Sequence, residues 1–247
     1  MEIPFPVTED QLLAGRVRLL QPEEGYRAAI DPVFLAASVV ARAGERVLDL
    51  GCGAGAASLC LLARLPHVTV SGLELQPEMA DLARRNADLN QMADRLQVVI
   101  GSAATLPVAL SGFDHVMTNP PFFTAQSGTH PGLETKALSH VEGELNLTQW
   151  IRAGLALLRP KGRLTLIHRA ERLGDILVAL SGRGVGGIVV TPLWPKVGRH
   201  AGRVIVSARK GARAPLELRP GLVLHGEDGS YSEAAQAILR GAEALTP

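Results

Sequence analysis

The feature that most constrains this chain is a short run near its start, Arg46-Val-Leu-Asp-Leu-Gly-Cys-Gly-Ala-Gly-Ala56. Arg46 to Leu50 is apolar enough for a buried strand, and Ala56 to Leu65 reads as an apolar helix. Between them Gly51, Gly53 and Gly55 let the backbone turn sharply and approach a ligand with no Cβ in the way. The N-terminus of the helix behind them leaves N–H groups without intrahelical partners. A buried strand followed at once by a helix points to parallel strands with helical crossovers.

The rest of the chain keeps that alternation. Strands are expected at 68–73, 96–100 and 113–118, with a helix from Pro77 to Asn90 whose apolar stripe is Met79, Leu82 and Ala83. Helices at 147–158 and 171–181 enclose a strand at 163–168. Strands 188–193 and 203–209 then follow with no room for a helix between them, so one antiparallel strand is expected at the end of a doubly wound sheet. Leu222 to Leu224 could add a last strand, and Ser230-Tyr-Ser-Glu233 has the pattern of a capping box for a closing helix. Ahead of the first strand, 11–13 and 16–20 around Gly15 read as a hairpin, and Asp31-Pro32 as the N-cap and first turn of a helix reaching Arg42. We read residues 1–247 as one domain, with 1–45 as an N-terminal hairpin and helix.

At 247 residues, 47% hydrophobic and 20% charged, this is globular composition and not a disordered chain. No apolar run reaches the roughly 18–20 residues a bilayer span needs. The opening MEIPFPVTED carries acids and prolines where a secretory signal has a basic residue and an apolar core. Cys52 and Cys60 make no disulfide framework, and the seven histidines show no metal spacing. A cytoplasmic location with no metal is expected. The net charge of +1 conceals an asymmetry: residues 150–219 hold 14 Lys and Arg against three acids, whereas 1–149 hold ten against 17. The basic segment is a candidate polyanion surface, with Lys196, Arg199 and Arg203 flanking the turn between the last two long strands. A solvated arginine-rich face is the plainer explanation of the same residues.

Two ligands compete for the glycine loop. Gly51-x-Gly53-x-x-Ala56 fits the dinucleotide fingerprint, and Glu74, at the end of the second sheet strand, could hold a ribose. S-adenosylmethionine carries the same ribose. Asp49 separates the two, because a carboxylate there would repel a pyrophosphate but pair with the ammonium of a methionine group. Thr118-Asn-Pro-Pro-Phe122 lies at the carboxyl end of the fourth sheet strand, where open α/β sheets bind ligands. A planar exocyclic amine is a poor nucleophile because its lone pair is delocalised. The Asn119 side-chain oxygen and the Pro120 carbonyl could accept its two protons and favour a pyramidal nitrogen, while Phe122 stacks on the base. Trp150 and Trp194 read as packing, and 124–146 as a long insertion that could form a lid.

With these residues in view, the chain resembles class I S-adenosylmethionine methyltransferases, and its Asn-Pro-Pro-Phe resembles the motif of enzymes that methylate planar amino nitrogens. Within that class it resembles the bacterial tRNA(Val) adenine-N6 methyltransferase family. The similarity runs through YRAAIDPVFL at 26–35 and LVLHGEDGSYSE at 222–233. It implies a Rossmann-like, doubly wound sheet of seven strands with one antiparallel, S-adenosylmethionine as cofactor and structured RNA of the tRNA type as partner. It implies that Asp49, Gly51 and Gly53 hold the methionine end, Glu74 the ribose, and Asn119, Pro120 and Phe122 the acceptor base. Gly55, Leu75, Asp31, Ser102 and Asn119 complete the implied cofactor contacts; N-capping alone would also explain Asp31. Several positions depart from the family pattern. Ala29 and Ile30 stand for Gly-Thr, Arg27 for lysine, Phe122 for the commoner tyrosine, and Gly101-Ser102-Ala103 lacks the acid that usually meets the adenine amine.

Rival readings remain at this point. Glutamine N5-methyltransferases share Asn-Pro-Pro-aromatic but usually carry a longer helical N-terminal region, and DNA adenine methyltransferases usually add a target-reading domain. A small-molecule O-methyltransferase leaves Asn-Pro-Pro-Phe unexplained. A nicotinamide dehydrogenase sits badly with Asp49, and a non-catalytic RNA-binding module with an intact glycine loop.

Overall fold

A hairpin opens the structure, a computed structural model that describes residues 3–25, 27–107, 110–121 and 145–245. Strands β1 (Val7–Leu12) and β2 (Val17–Pro22) pair antiparallel, with Leu12 opposite Val17. The hairpin was expected around Gly15, and both strands extend beyond the expected stretches. Among the described residues the free edge of β2 meets no third strand. Two asparagines one turn apart on α3 (Pro77–Leu89) and at its end take that role. Asn86 accepts from the Leu20 N–H at 2.7 Å and donates to the Leu20 carbonyl at 2.9 Å. Asn90 does the same for Arg18, at 2.8 and 2.7 Å. Each carboxamide presents an acceptor and one of its two donor hydrogens to the strand, so it satisfies a backbone edge as a neighbouring strand would.

Helix α1 (Asp31–Ser38) follows, with Pro32 in its first turn. Ile30, not Asp31, is the N-cap residue, and no side chain caps the helix. Asp31 instead pairs with Arg203 at 2.8 Å, which corrects the N-cap expectation. The helix stops at Ser38, short of Arg42, because Val39 is extended and the Arg64 guanidinium takes up the Ala36 and Val39 carbonyls.

The main sheet is built as expected from β3 (Arg46–Leu50), α2 (Ala56–Arg64), β4 (Thr69–Glu74), α3, β5 (Leu96–Ile100) and β6 (Phe113–Thr118). Helix α4 (Leu147–Leu157), β7 (Leu158–Arg169), α5 (Leu173–Leu180), β8 (Val185–Trp194) and β9 (Arg203–Lys210) follow. The seven strands run in the order β8-β9-β7-β6-β3-β4-β5. All are parallel except β9, which is antiparallel to both β7 and β8. Short strands β10 (Glu217–Leu218) and β11 (Leu222–Val223) add to the edge of β8. The second of these was expected; β10 was not. The closing helix α6 (Glu233–Leu239) is capped by Ser232, whose hydroxyl accepts from the Ala235 N–H. Ser230 instead bonds Asp228, so the expected capping box is replaced by a single cap two residues later.

The sheet is covered on both faces, as its continuous apolar strands require. Met117, Ile167, Leu193 and Ile205 face one side and pack with α1, α2 and α3. Val116, Leu164, Leu166 and Val206 face the other, with α4 and α5. No helix among the described residues is long and apolar enough to cross a membrane.

Candidate functional site

The reversal of strand order between β3 and β6 puts a crevice at the carboxyl end of the sheet, the usual ligand position in such folds. A cleft of about 500 Å³ lies there, bounded by Asp49, the glycine loop, Gln21 and Pro22 of the hairpin, Met79 of α3 and Asn119. Gly51, Gly53 and Gly55 have φ of +75°, +54° and +86°, the left-handed region that an L side chain resists. A Cβ on Gly51 would also lie 2.8 Å from the Trp150 ring, so glycine is required there twice over.

Asp49 is 2% exposed, and Ser58 donates to its Oδ2 at 2.7 Å. Burial pushes its carboxyl up to about 7, against the opposing Ser58 bond, and the nearby Glu74 charge adds to the rise. Glu74 is also buried and pushed up by it, while the N–H groups of Gly53 (2.8 Å) and Gln76 (2.9 Å) donate to its two oxygens. Two buried carboxyls thus sit together, and the described residues lining the cleft include no Lys or Arg. A pyrophosphate would find no cation among them. A ligand that carries positive charge would relieve the buried carboxylates.

Of the other expected cofactor contacts, only Asn119 is among the described residues that line this cleft. Leu75 follows Glu74 and is half-buried. Ser102 follows β5, and its Oγ accepts from the Ala104 N–H at 3.0 Å, closing a tight turn. Asp31 does not line the cleft; its neighbour Pro32 does. Asn119 follows directly on β6 and lines the cleft beside Asp49 and Gly51, with Pro120 buried behind it. Phe122 and most of the 124–146 insertion lie outside the described residues, as does Tyr26. The last residue of that insertion, Asn146, caps α4 through a reciprocal bond pair with Gln149.

Four residues build the site that sequence reasoning passed over or read as packing. Ser58 orients Asp49. Trp150 donates its indole N–H to Thr118 Oγ1 at 2.9 Å, and Thr118 donates to the Leu50 carbonyl at 2.7 Å, so α4, β6 and β3 are locked together where the glycine loop starts. Gln21 accepts from the Ala28 N–H at 2.6 Å and fixes the segment leading into α1. Asn86, fully buried, also donates to the Ala54 carbonyl at 2.9 Å and so ties the hairpin wall to the glycine-loop wall. Its signal in the sequence is a polar residue at a core position of the α3 stripe. Arg27 bonds Thr8, the Pro22 carbonyl and Asp10, so the residue that stands for a family lysine braces the hairpin.

Lys196, Arg199 and Arg203 all lie at the carboxyl end of the sheet, on or beside the turn from β8 to β9. Arg199 and the 83% exposed Val197 form its tip. Lys196 donates to the Glu227 carbonyl, and Arg203 is held by Asp31.

Comparison with known proteins agrees with this geometry. Residues 30–173, more than half of the chain, match the family model described as methyltransferase small domain. A protein of Porphyromonas gingivalis named tRNA1(Val) (adenine(37)-N6)-methyltransferase is 36% identical over 138 residues, 53% of this chain; the chain spans only 52% of that relative's length. A protein of the same name from Aeromonas hydrophila is 28% identical over 84% of this chain and 86% of its own. The crystal structure of a predicted O-methyltransferase from Agrobacterium tumefaciens superposes with a TM-score of 0.72, at 30% identity, over 88% of this chain and 99% of that one. The glycine loop, the paired buried carboxyls and a described lining without Lys or Arg fit S-adenosylmethionine, whose ammonium and sulfonium are both positive. The chain belongs to the methyltransferase small domain family.

Proposed function

We propose that this enzyme methylates the N6 amine of an adenine in tRNA. One observation carries the reading: Asn119-Pro120 ends β6 at the cleft, beside Asp49 and the glycine loop. When bound, S-adenosylmethionine supplies an electrophilic methyl group. Asn119 Oδ1 and the Pro120 carbonyl accept the two amine hydrogens and free the nitrogen lone pair for attack. The methyl would come from the cofactor's sulfonium, and the amine nitrogen held by Asn119 and Pro120 would give up its surplus proton to water. Phe122 stacks on the flipped base, and the β8–β9 turn with Lys196, Arg199 and Arg203 meets the RNA backbone. Asp49 pairs with the cofactor ammonium and Glu74 with the ribose. The names of the Porphyromonas and Aeromonas relatives support the choice of substrate.

The O-methyltransferase title of the Agrobacterium structure names the second reading. A hydroxyl acceptor needs a base within reach. Among the described lining residues only Asp49 could serve, and it is buried against Ser58. An amine acceptor needs no such base.

The test is transfer of tritiated methyl to tRNA, rRNA and protein lacking endogenous modification, followed by nucleoside analysis. N6-methyladenosine in tRNA is expected; label confined to protein glutamine or to small hydroxyl compounds overturns the reading. Asn119→Ala should cut transfer by about 10²–10³-fold, the usual loss for one group that acts on the reacting atoms. Its cofactor affinity should stay within a few-fold.

A further inference from the structure

The fold divides the basic segment between the two ends of the sheet. Lys196, Arg199 and Arg203 lie at the carboxyl end, but a second group lies at the opposite end, on the face that carries α1. In the β7–β9 register Arg163 stands directly opposite Arg209, and the next residue pair on that face is Thr165 with Ser207. Across β8, Glu217 of β10 lines up with Val189, which itself pairs with Ser207, so Arg219 joins the same face. Further up, Ile167, Ile205 and Leu193 are buried in the core with α1. That helix is only eight residues long, and by the level of Arg209 the face is exposed.

Like charges placed directly opposite each other across an antiparallel pair repel. Neither Arg163 nor Arg209 is in an ion pair among the described residues. Arg163 donates to the Ser207 hydroxyl at 3.1 Å and Arg209 to the Lys161 carbonyl at 3.1 Å, both neutral acceptors. The two nearby acids are engaged: Glu217 pairs with Arg219, and Glu45 with His115. Burial, and then the charges of Arg209 and Arg219, weaken the hold of Arg163 on its proton. The strand register thus forces the Arg163 and Arg209 guanidinium groups together, with the Arg219 charge also felt by Arg163, at a cost to the free protein that an anion would remove.

We propose that this lower face, built on Arg163, Arg209 and Arg219, is a second backbone-binding surface for the RNA substrate, taking phosphodiester groups remote from the methylated base. It rests on the tRNA reading above. Arg163 pairs with His115, four residues before Asn119, so the surface lies about 13 Å below the acceptor end at 3.3 Å per residue. With one phosphate of each strand per about 3.4 Å of duplex axis, roughly four nucleotides of a helical stem cover that distance.

The test compares wild type with Arg209→Ala, the double variant Arg209→Glu/Arg219→Glu, and a control, Arg152→Glu, from the opposite face of the sheet. Arg209→Ala should melt no lower than wild type at low salt, because it relieves repulsion. Tripolyphosphate should raise the melting temperature of wild type but not of the double variant. The double variant should bind tRNA at least tenfold more weakly near 50 mM salt, with a log–log salt slope shallower by about 1.4–1.8 for two phosphates lost. Arg152→Glu should change tRNA affinity less than twofold. A double variant that keeps wild-type tRNA affinity and slope, or a control that loses as much, overturns the surface. So does Arg209→Ala melting well below wild type with no response to tripolyphosphate in either protein. If the enzyme methylates no RNA yet tripolyphosphate still stabilises only the intact surface, the tRNA reading fails and the polyanion surface stands.

Discussion

The most direct perturbation of the cofactor site is pH, because Asp49 has no cationic partner among the described residues. Its carboxyl is pushed up to about 7, chiefly by burial. Against an ordinary value near 3.9, this means that the buried charge costs the free protein about 4 kcal/mol. An ammonium placed against Asp49 restores the ionised form, so binding must expel the proton from every molecule that carries one. At pH 6 about nine-tenths of the free protein is protonated at Asp49, and binding should release about 0.9 proton. Between pH 7 and pH 5.5 the dissociation constant of S-adenosylhomocysteine should rise about fifteenfold. The amine of the ligand, near 7.7–8.0, stays charged throughout that window, so the change reports the protein. Calorimetry in buffers of different ionisation enthalpy measures both quantities. Ser58→Ala removes the bond that favours the ionised form, so it should move the dependence to higher pH; Asp49→Asn should abolish it. A dissociation constant flat from pH 7 to 5.5, with heats independent of buffer, would refute the pairing of Asp49 with the ammonium.

The same carboxyl sets a stability trend of opposite sense in the free protein. A raised native value contributes stability below the unfolded value and loses it as pH rises through about 7, so Asp49→Asn should melt like wild type at pH 4 and higher at pH 8. At about 2–4 °C per kcal/mol for a chain of this size, the upper bound on that gain is about 8–16 °C in a thermal melt. Asn86→Ala leaves the Leu20 N–H and the Leu20 and Ala54 carbonyls unpaired in a buried site, at about 3–5 kcal/mol. Asn90→Ala, at the exposed end of the same strand edge, should cost about 1 kcal/mol, and only the Asn86 variant should also weaken cofactor binding; equal effects in urea melts would contradict the wall-coupling role. Gly51→Ala combines a left-handed φ with a contact of 2.8 Å to Trp150 and should cost about 2–4 kcal/mol. A double-mutant cycle with Trp150→Phe should show coupling of about 1 kcal/mol or more, and strict additivity would mean that the ring clash is not the cause.

Local patterns determined much of this protein. The strand, glycine loop and helix at 46–64, the alternation after it and the unbroken step from β8 to β9 were legible because periodicity and turn chemistry act over a few residues. Asp49, Glu74 and Asn119 were legible for a related reason: each ends a parallel strand, and all such strands deliver their carboxyl ends to one crevice. What stayed hidden depends on residues far apart in sequence that meet only when the sheet is assembled. Asp31 looked like a helix cap until Arg203, 172 positions later, came to lie beside it. Asn86 was passed over, because the groups it satisfies belong to the edge of β2, 66 positions earlier. Trp150 looked like packing until its indole N–H reached Thr118 across α4 and β6. The basic segment looked like a single platform, but β9 runs antiparallel and carries Arg203 and Arg209 to opposite ends of the sheet. Charge is a property of the sequence; where it acts is decided by strand direction and register, which only the folded sheet sets.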